Sequence, residues 1–152
     1  MSQQLYQQVI LEHNKKPRNY GNLSGHTHKA EGYNPLCGDH LWVEMIVDEE
    51  TQVVQDIKFK GEGCAISKAS ASLMTVAIKG KSIADAEVVI NEFKEMAKGD
   101  LNPESDGNSL GNLKIFSGIW KYPSRVKCAV LAWHAAAGAL HEEASVSTEG
   151  ES

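Results

Sequence analysis

Between Ser2 and His13, the apolar residues Leu5, Val9 and Ile10 fall at near-helical spacing with Tyr6 and Leu11 beside them. The pattern predicts a short amphipathic helix ending before Pro17, because the residue ahead of a proline is pushed out of the helical region. The following stretch RNYGNLSGHTHKAEGYNP is rich in Gly, Asn and Ser and reads as loop, with one short edge strand around His26 to Ala30. Leu41, Val43, Met45 and Val47 then alternate with Trp42, Glu44 and Ile46, the pattern of a strand whose second face is also partly covered. An acidic turn leads into VVQDIKFKGEG, which alternates again, so the two segments predict a hairpin.

From Cys64 the periodicity changes. CAISKASASLMTVAIKG places Ile66, Leu73, Ala77 and Ile78 on one helical stripe, with Gly80 as its stop. SIADAEVVINEFKEMAKG opens at Ser82 and ends at Gly99, a second amphipathic helix. DLNPESDGNSLGN is a loop, LKIFSGIWKYP predicts a short helix, and an Ala-rich helix capped by Ser124 closes the pattern. The small polar residues at the C-terminus predict a flexible tail. One helix, a small antiparallel sheet and then several helices define an α+β class, the sheet packed on one side by helices. The expectation is a single domain over residues 1–144 and a tail over 145–152.

Composition narrows the function. The net charge of -5 offers no broad basic field, which argues against nucleic acid as a partner. No apolar run approaches the length of a membrane span, and the N-terminus lacks the basic, apolar and small-residue blocks of a signal peptide. The expected setting is cytoplasmic. There a structural disulfide is disfavoured, and 3 cysteines cannot all pair within one chain. They read as free thiols, catalytic thiols or metal ligands.

Cys37 lies in YNPLCGDH, a loop feeding a strand, whereas Cys64 and Cys128 fall at or near predicted helix starts, where unpaired N–H groups favour thiolate over thiol. Asp39 follows Cys37 with only Gly38 between them, and glycine permits the backbone angles of a chelating turn. Cys37, Asp39, Cys64 and Cys128 together supply three soft sulfurs and one hard oxygen, a set suited to tetrahedral zinc. Thiolates also suit iron–sulfur chemistry, so ligand type alone leaves both occupants open. Such a site is anionic, and Arg125, Lys127 and Lys68 are the cations positioned by sequence to neutralise it or to guide an anionic sulfur donor.

Other residues read as structural. His40 follows Asp39 directly and so points to the opposite strand face. His26 and His28 share a face without a carboxylate partner nearby in sequence and read as solvent-facing. Trp42, Trp120 and Trp133 are widely spaced, as core or rim residues are, and KGEG lacks the full pattern of a phosphate-binding loop.

NPLCGD, GEGCAISKASAS and RVKCAVLAW, in this order, resemble the U-type iron–sulfur cluster assembly proteins with the IscU-like fold, and the likeness runs from the first helix to about Ala144. In the scaffold branch a histidine precedes the last cysteine. Here Lys127 stands in that place, and an extra segment around VINEFKEMAKGDLNPESDGNSLGN separates Cys64 from Cys128, both similar to the SufU type. The resemblance implies a zinc-dependent sulfurtransferase partnered with a SufS-type cysteine desulfurase. It implies that Cys37, Asp39, Cys64 and Cys128 hold zinc, and that a histidine of the desulfurase displaces Cys37, which then takes the persulfide sulfur. Arg125 would orient the persulfide or the partner. Sulfur or cluster would pass to downstream assembly proteins or apoproteins. Two alternatives stand beside this: a scaffold carrying a transient 2Fe–2S cluster on the same cysteines, and a non-enzymatic zinc-stabilised interaction module.

Overall fold

In the computed structural model, which describes residues 3–35, 38–105, 107–142 and 145–147, a small sheet lies beneath a layer of helices. The order is α1 (Gln3–Lys15), β1 (His28–Asn34), β2 (Asp39–Val47), β3 (Val54–Glu62), α2 (Ala65–Ile78), α3 (Ile83–Lys98), α4 (Pro123–Leu140) and β4 (Ser145–Ser147). Two 3-10 segments, Gly111–Phe116 and Ile119–Lys121, replace the single short helix expected there. The sheet order is β3-β2-β1-β4. The first three strands are antiparallel, with Asn34 opposite Asp39 and His40 opposite Glu62, and β4 runs parallel to β1. Ser145–Ser147, expected as the start of a polar tail, thus form a short edge strand, and 148–152 lie outside the described residues.

The α+β expectation holds: helices α2 and α4 cover one sheet face, where Leu41, Val43, Met45, Ile57 and Phe59 are fully buried. Strand β1 is longer than its glycine-rich sequence suggests and continues through Gly32 to Asn34. Gly32 is there for packing, since a Cβ would lie 3.0 Å from Leu131 Cδ1 and 3.2 Å from the Ala135 side chain. Small residues on α2 serve the same end against α4. Ser70 Oγ donates to the Ala129 carbonyl at 2.5 Å and accepts from Trp133 Nε1 at 3.0 Å, while the buried Trp133 ring stacks on Phe93 at 4.2 Å.

Helix α3 begins and ends as its sequence predicts, with Ser82 Oγ accepting from Asp85 N and Gly99 closing it at φ 88°. Helix α4 does not. Pro123 is already inside it, Tyr122 is its cap, and Ser124 caps nothing. Proline suits the first helical position because its missing N–H has no acceptor there. Helix α1 is pinned to α2 by polar contacts: Ser72 Oγ lies 2.7 Å from His13 Nδ1 and accepts from Arg18 N at 2.8 Å. Among the described residues no helix is long and apolar enough to cross a membrane.

Candidate metal centre

Three elements converge at one end of the sheet. Asp39 opens β2, Cys64 caps α2, and Cys128 lies in the second turn of α4. A carboxylate oxygen of Asp39 and the two sulfurs all lie within 4.8 Å of one another. Of the four ligands expected from sequence, the structure brings these three together; Cys37 lies outside the described residues. Ligand atoms on a tetrahedral zinc with Zn–S bonds near 2.3 Å stand about 3.8 Å apart, so the arrangement fits a small thiophilic cation.

Asp39 is 1% exposed, and its side chain is held there by the start of α2. Oδ1 accepts from the Cys64 backbone N–H at 2.9 Å, and Oδ2 accepts from Ser67 Oγ at 2.7 Å. The carboxylate therefore caps α2 from another strand, in the place where a helix favours negative charge. Gly63 leaves room for it, because a Cβ there would come within 3.0 Å of Asp39 Oδ1.

Cys64 is the side-chain cap of the same helix, its sulfur accepting from Ser67 N at 3.5 Å. A hydrogen bond from Cys128, together with that from the Ser67 backbone, lowers its pKa to about 6, against the opposing effects of burial and the Asp39 charge. Cys128 itself is buried and sits beyond the free N–H groups of α4, so the helix-start argument applies to Cys64 and not to Cys128. Ser67, three residues after Cys64, was not among the sequence candidates. It bonds Asp39, the Cys64 sulfur and the Cys128 carbonyl at 3.3 Å, and its spacing from a helix-start cysteine was the available signal.

The expected cations divide. Arg125 lies one turn before Cys128, exposed, with its guanidinium 4.7 Å from the Tyr122 ring centre. It lines a cavity of about 350 Å³ with Tyr6, Trp120, Lys121 and Tyr122. Tyr6 reports the charge of the neighbourhood: burial raises its pKa, Arg125 lowers it, and Cys64 and Cys128 raise it further. Lys68 instead points its ammonium at the Tyr20 ring, 5.9 Å from the centre.

The histidines lie elsewhere. His40 faces away from Asp39, bonded to Glu31 Oε2 at 2.6 Å and stacked on Trp42. His26, expected to lack a carboxylate, has its Nδ1 3.4 Å from Glu44 Oε2. The buried Glu44 also accepts from Leu23 N, so this contact belongs to the outer sheet face and not to the cysteines.

A sheet with a buried aspartate facing two cysteines on separate helices offers a donor set that could hold a metal ion. The chain belongs to the NifU-like N terminal domain family, which matches residues 5–129. It is 44% identical over 131 residues to the zinc-dependent sulfurtransferase SufU of Bacillus subtilis strain 168, covering 86% of each chain. Over 141 residues it is 38% identical to the iron–sulfur cluster assembly scaffold protein IscU of Streptococcus pyogenes serotype M1, covering 93% of this chain and 86% of that one. A crystal structure of a candidate iron–sulfur cluster assembly scaffold for the SUF system of Fervidobacterium islandicum AW-1 superposes with a TM-score of 0.81 at 33% identity, over 92% of this chain and 99% of the other.

Proposed function

We propose that the chain works in iron–sulfur cluster assembly as a zinc-dependent sulfurtransferase that accepts persulfide sulfur on Cys37 from a SufS-type cysteine desulfurase. The observation that carries this reading is the meeting of Asp39, Cys64 and Cys128 within 4.8 Å, from three elements far apart in sequence. Together with Cys37 they would hold zinc. When bound, the metal would keep thiols ionised and occupy their lone pairs until a partner docks.

The residues divide the work. Asp39 is tied by two hydrogen bonds to α2 and so is suited to stay in place. Cys37, two residues along, is the ligand suited to leave. Its thiolate would attack the outer sulfur of a donor cysteine persulfide, forming a new S–S bond on Cys37. The donor S–S bond breaks with its electron pair leaving on the donor cysteine, so no outside oxidant is needed. Arg125, exposed beside the cavity, would orient the anionic persulfide or the desulfurase that carries it.

The scaffold reading is favoured by the names of the streptococcal and Fervidobacterium proteins, and one experiment separates the two. Metal is measured in protein purified without added iron, and activation of a cysteine desulfurase is assayed with wild type and Cys37→Ala. Near-stoichiometric zinc, with activation abolished by the substitution, is expected. Iron and acid-labile sulfide without activation would overturn sulfur transfer in favour of a 2Fe–2S scaffold.

A further inference from the structure

Asn34 ends β1 directly opposite Asp39, the cross-strand partner that opens β2. Cross-strand pairs place their Cβ atoms about 5 Å apart on the same sheet face. Both residues are on the face covered by helices, Asn34 at 0% exposure and Asp39 at 1%. Asp39 has a hydrogen bond to each oxygen, whereas Asn34 Nδ2 and Oδ1 are both buried without any partner. A carboxamide so placed forfeits its hydration for nothing in return, and buried amides are paired in nearly all folded proteins. The backbone of Asn34 has a settled task, its carbonyl accepting from Gly38 N at 2.8 Å. Only the side chain is left over.

We infer that Asn34 is a positioning residue of the metal centre, its side-chain amide donating to a sulfur ligand when the thiols are ionised and metal-bound. This rests on the zinc reading above. Neither end of the amide is fixed by a hydrogen bond, so the local charge decides which end faces the cluster. Two thiolates and a carboxylate are negative, and the negative set draws the N–H2 end. Amide donors to thiolate sulfur hold a ligand in orientation and temper its charge, as outer partners of metal ligands commonly do. Asn34 also leads, through Pro35, into the segment carrying Cys37, and so stands three residues before the ligand with the transfer role.

The test compares wild type, Asn34→Ala and Asn34→Asp in two measurements: zinc affinity by competition with a chromophoric chelator, and the thermal midpoint of the metal-free proteins. Asn34→Ala removes an unpaired buried amide, so its metal-free midpoint should be unchanged or higher while zinc affinity falls about 10- to 100-fold. Asn34→Asp keeps the shape but replaces a donor by a negative charge, and it should bind zinc more weakly than Asn34→Ala. A lower metal-free midpoint in Asn34→Ala with wild-type zinc affinity would make Asn34 a packing residue and overturn the inference. Wild-type or stronger affinity in Asn34→Asp would also overturn it, making Oδ1 the metal-facing atom. If wild type itself binds no zinc, the zinc reading fails and the inference with it, whereas zinc binding by wild type and equally by both variants defeats the inference alone.

Discussion

A buried carboxylate is costly unless its oxygens are matched, and Asp39 is matched at each oxygen, by the Cys64 N–H and by the Ser67 hydroxyl. Removing it orphans the Cys64 N–H and leaves the Ser67 hydroxyl only its longer contacts to the Cys128 carbonyl and the Cys64 sulfur. Asp39→Ala should therefore lower the unfolding free energy of the metal-free protein by about 2 to 4 kcal/mol in urea titrations. Ser67→Ala, which leaves the Cys64 contact intact, should cost less, about 1.5 to 3 kcal/mol. Equal stability of Asp39→Ala and wild type would mean that Asp39 serves the metal alone. At this scale the meeting of Cys64, Cys128 and Asp39 was legible because their residue types carry chemistry. Ser67 was not read out, because in a helix crowded with Ala and Ser its place three residues after Cys64 is a faint signal, and the carboxylate it meets comes from another strand. Asn34 was read only as part of the Gly-, Asn- and Ser-rich loop, since its burial depends on β1 running on beneath α4.

Elements were legible where the local signal and the packing agree. Strand β2, the hairpin and α3 follow from alternation, turn residues and the Ser82 and Gly99 ends. Strand β1 was foreshortened because glycine normally weakens a strand, whereas here Gly32 marks the close approach of α4, an event set by residues about a hundred positions away. Gly32→Val should force Leu131 and Ala135 aside and cost about 1 to 3 kcal/mol by denaturant unfolding. The start of α4 was misplaced because Ser124 is a good capping residue, but Pro123 already occupies the first helical position. A paired experiment separates a real cap from a nominal one. Ser82→Ala should cost about 1 kcal/mol and Ser124→Ala less than about 0.5 kcal/mol, measured as shifts in urea midpoint at constant slope. A larger loss at Ser124 would give that hydroxyl a role in the fold that the cap geometry does not assign it.

Across the whole molecule two contacts between layers respond to solution conditions. His13 holds α1 against α2 through Ser72, and burial, with Arg18 adding to it, lowers its pKa below the ordinary 6.5 while Glu12 opposes the shift. The unfolded chain then takes up the proton first. Stability from this group is complete above the unfolded value and drains away as pH falls below it towards the folded value. His13→Asn should lose less unfolding free energy than wild type between about pH 7.5 and about pH 5.5. The same loss in both would locate the acid sensitivity elsewhere.

Metal removal would act at the other end of the sheet. Zinc would tie β2, α2 and α4 together, but the stack of Phe93 on Trp133 and the buried strand face are built from side chains that need no ion. A domain of this length buries enough surface to fold without a metal staple. Chelation should therefore lower the thermal midpoint, in proportion to the free energy of zinc binding, while leaving a cooperative transition and the near-ultraviolet circular dichroism of the Trp133 core. That outcome would set the site apart from a zinc-stabilised interaction module, in which the metal supplies the folding energy and chelation abolishes the transition. A metal that the fold can do without is free to have its ligands exchanged, which is what a transfer role for Cys37 requires.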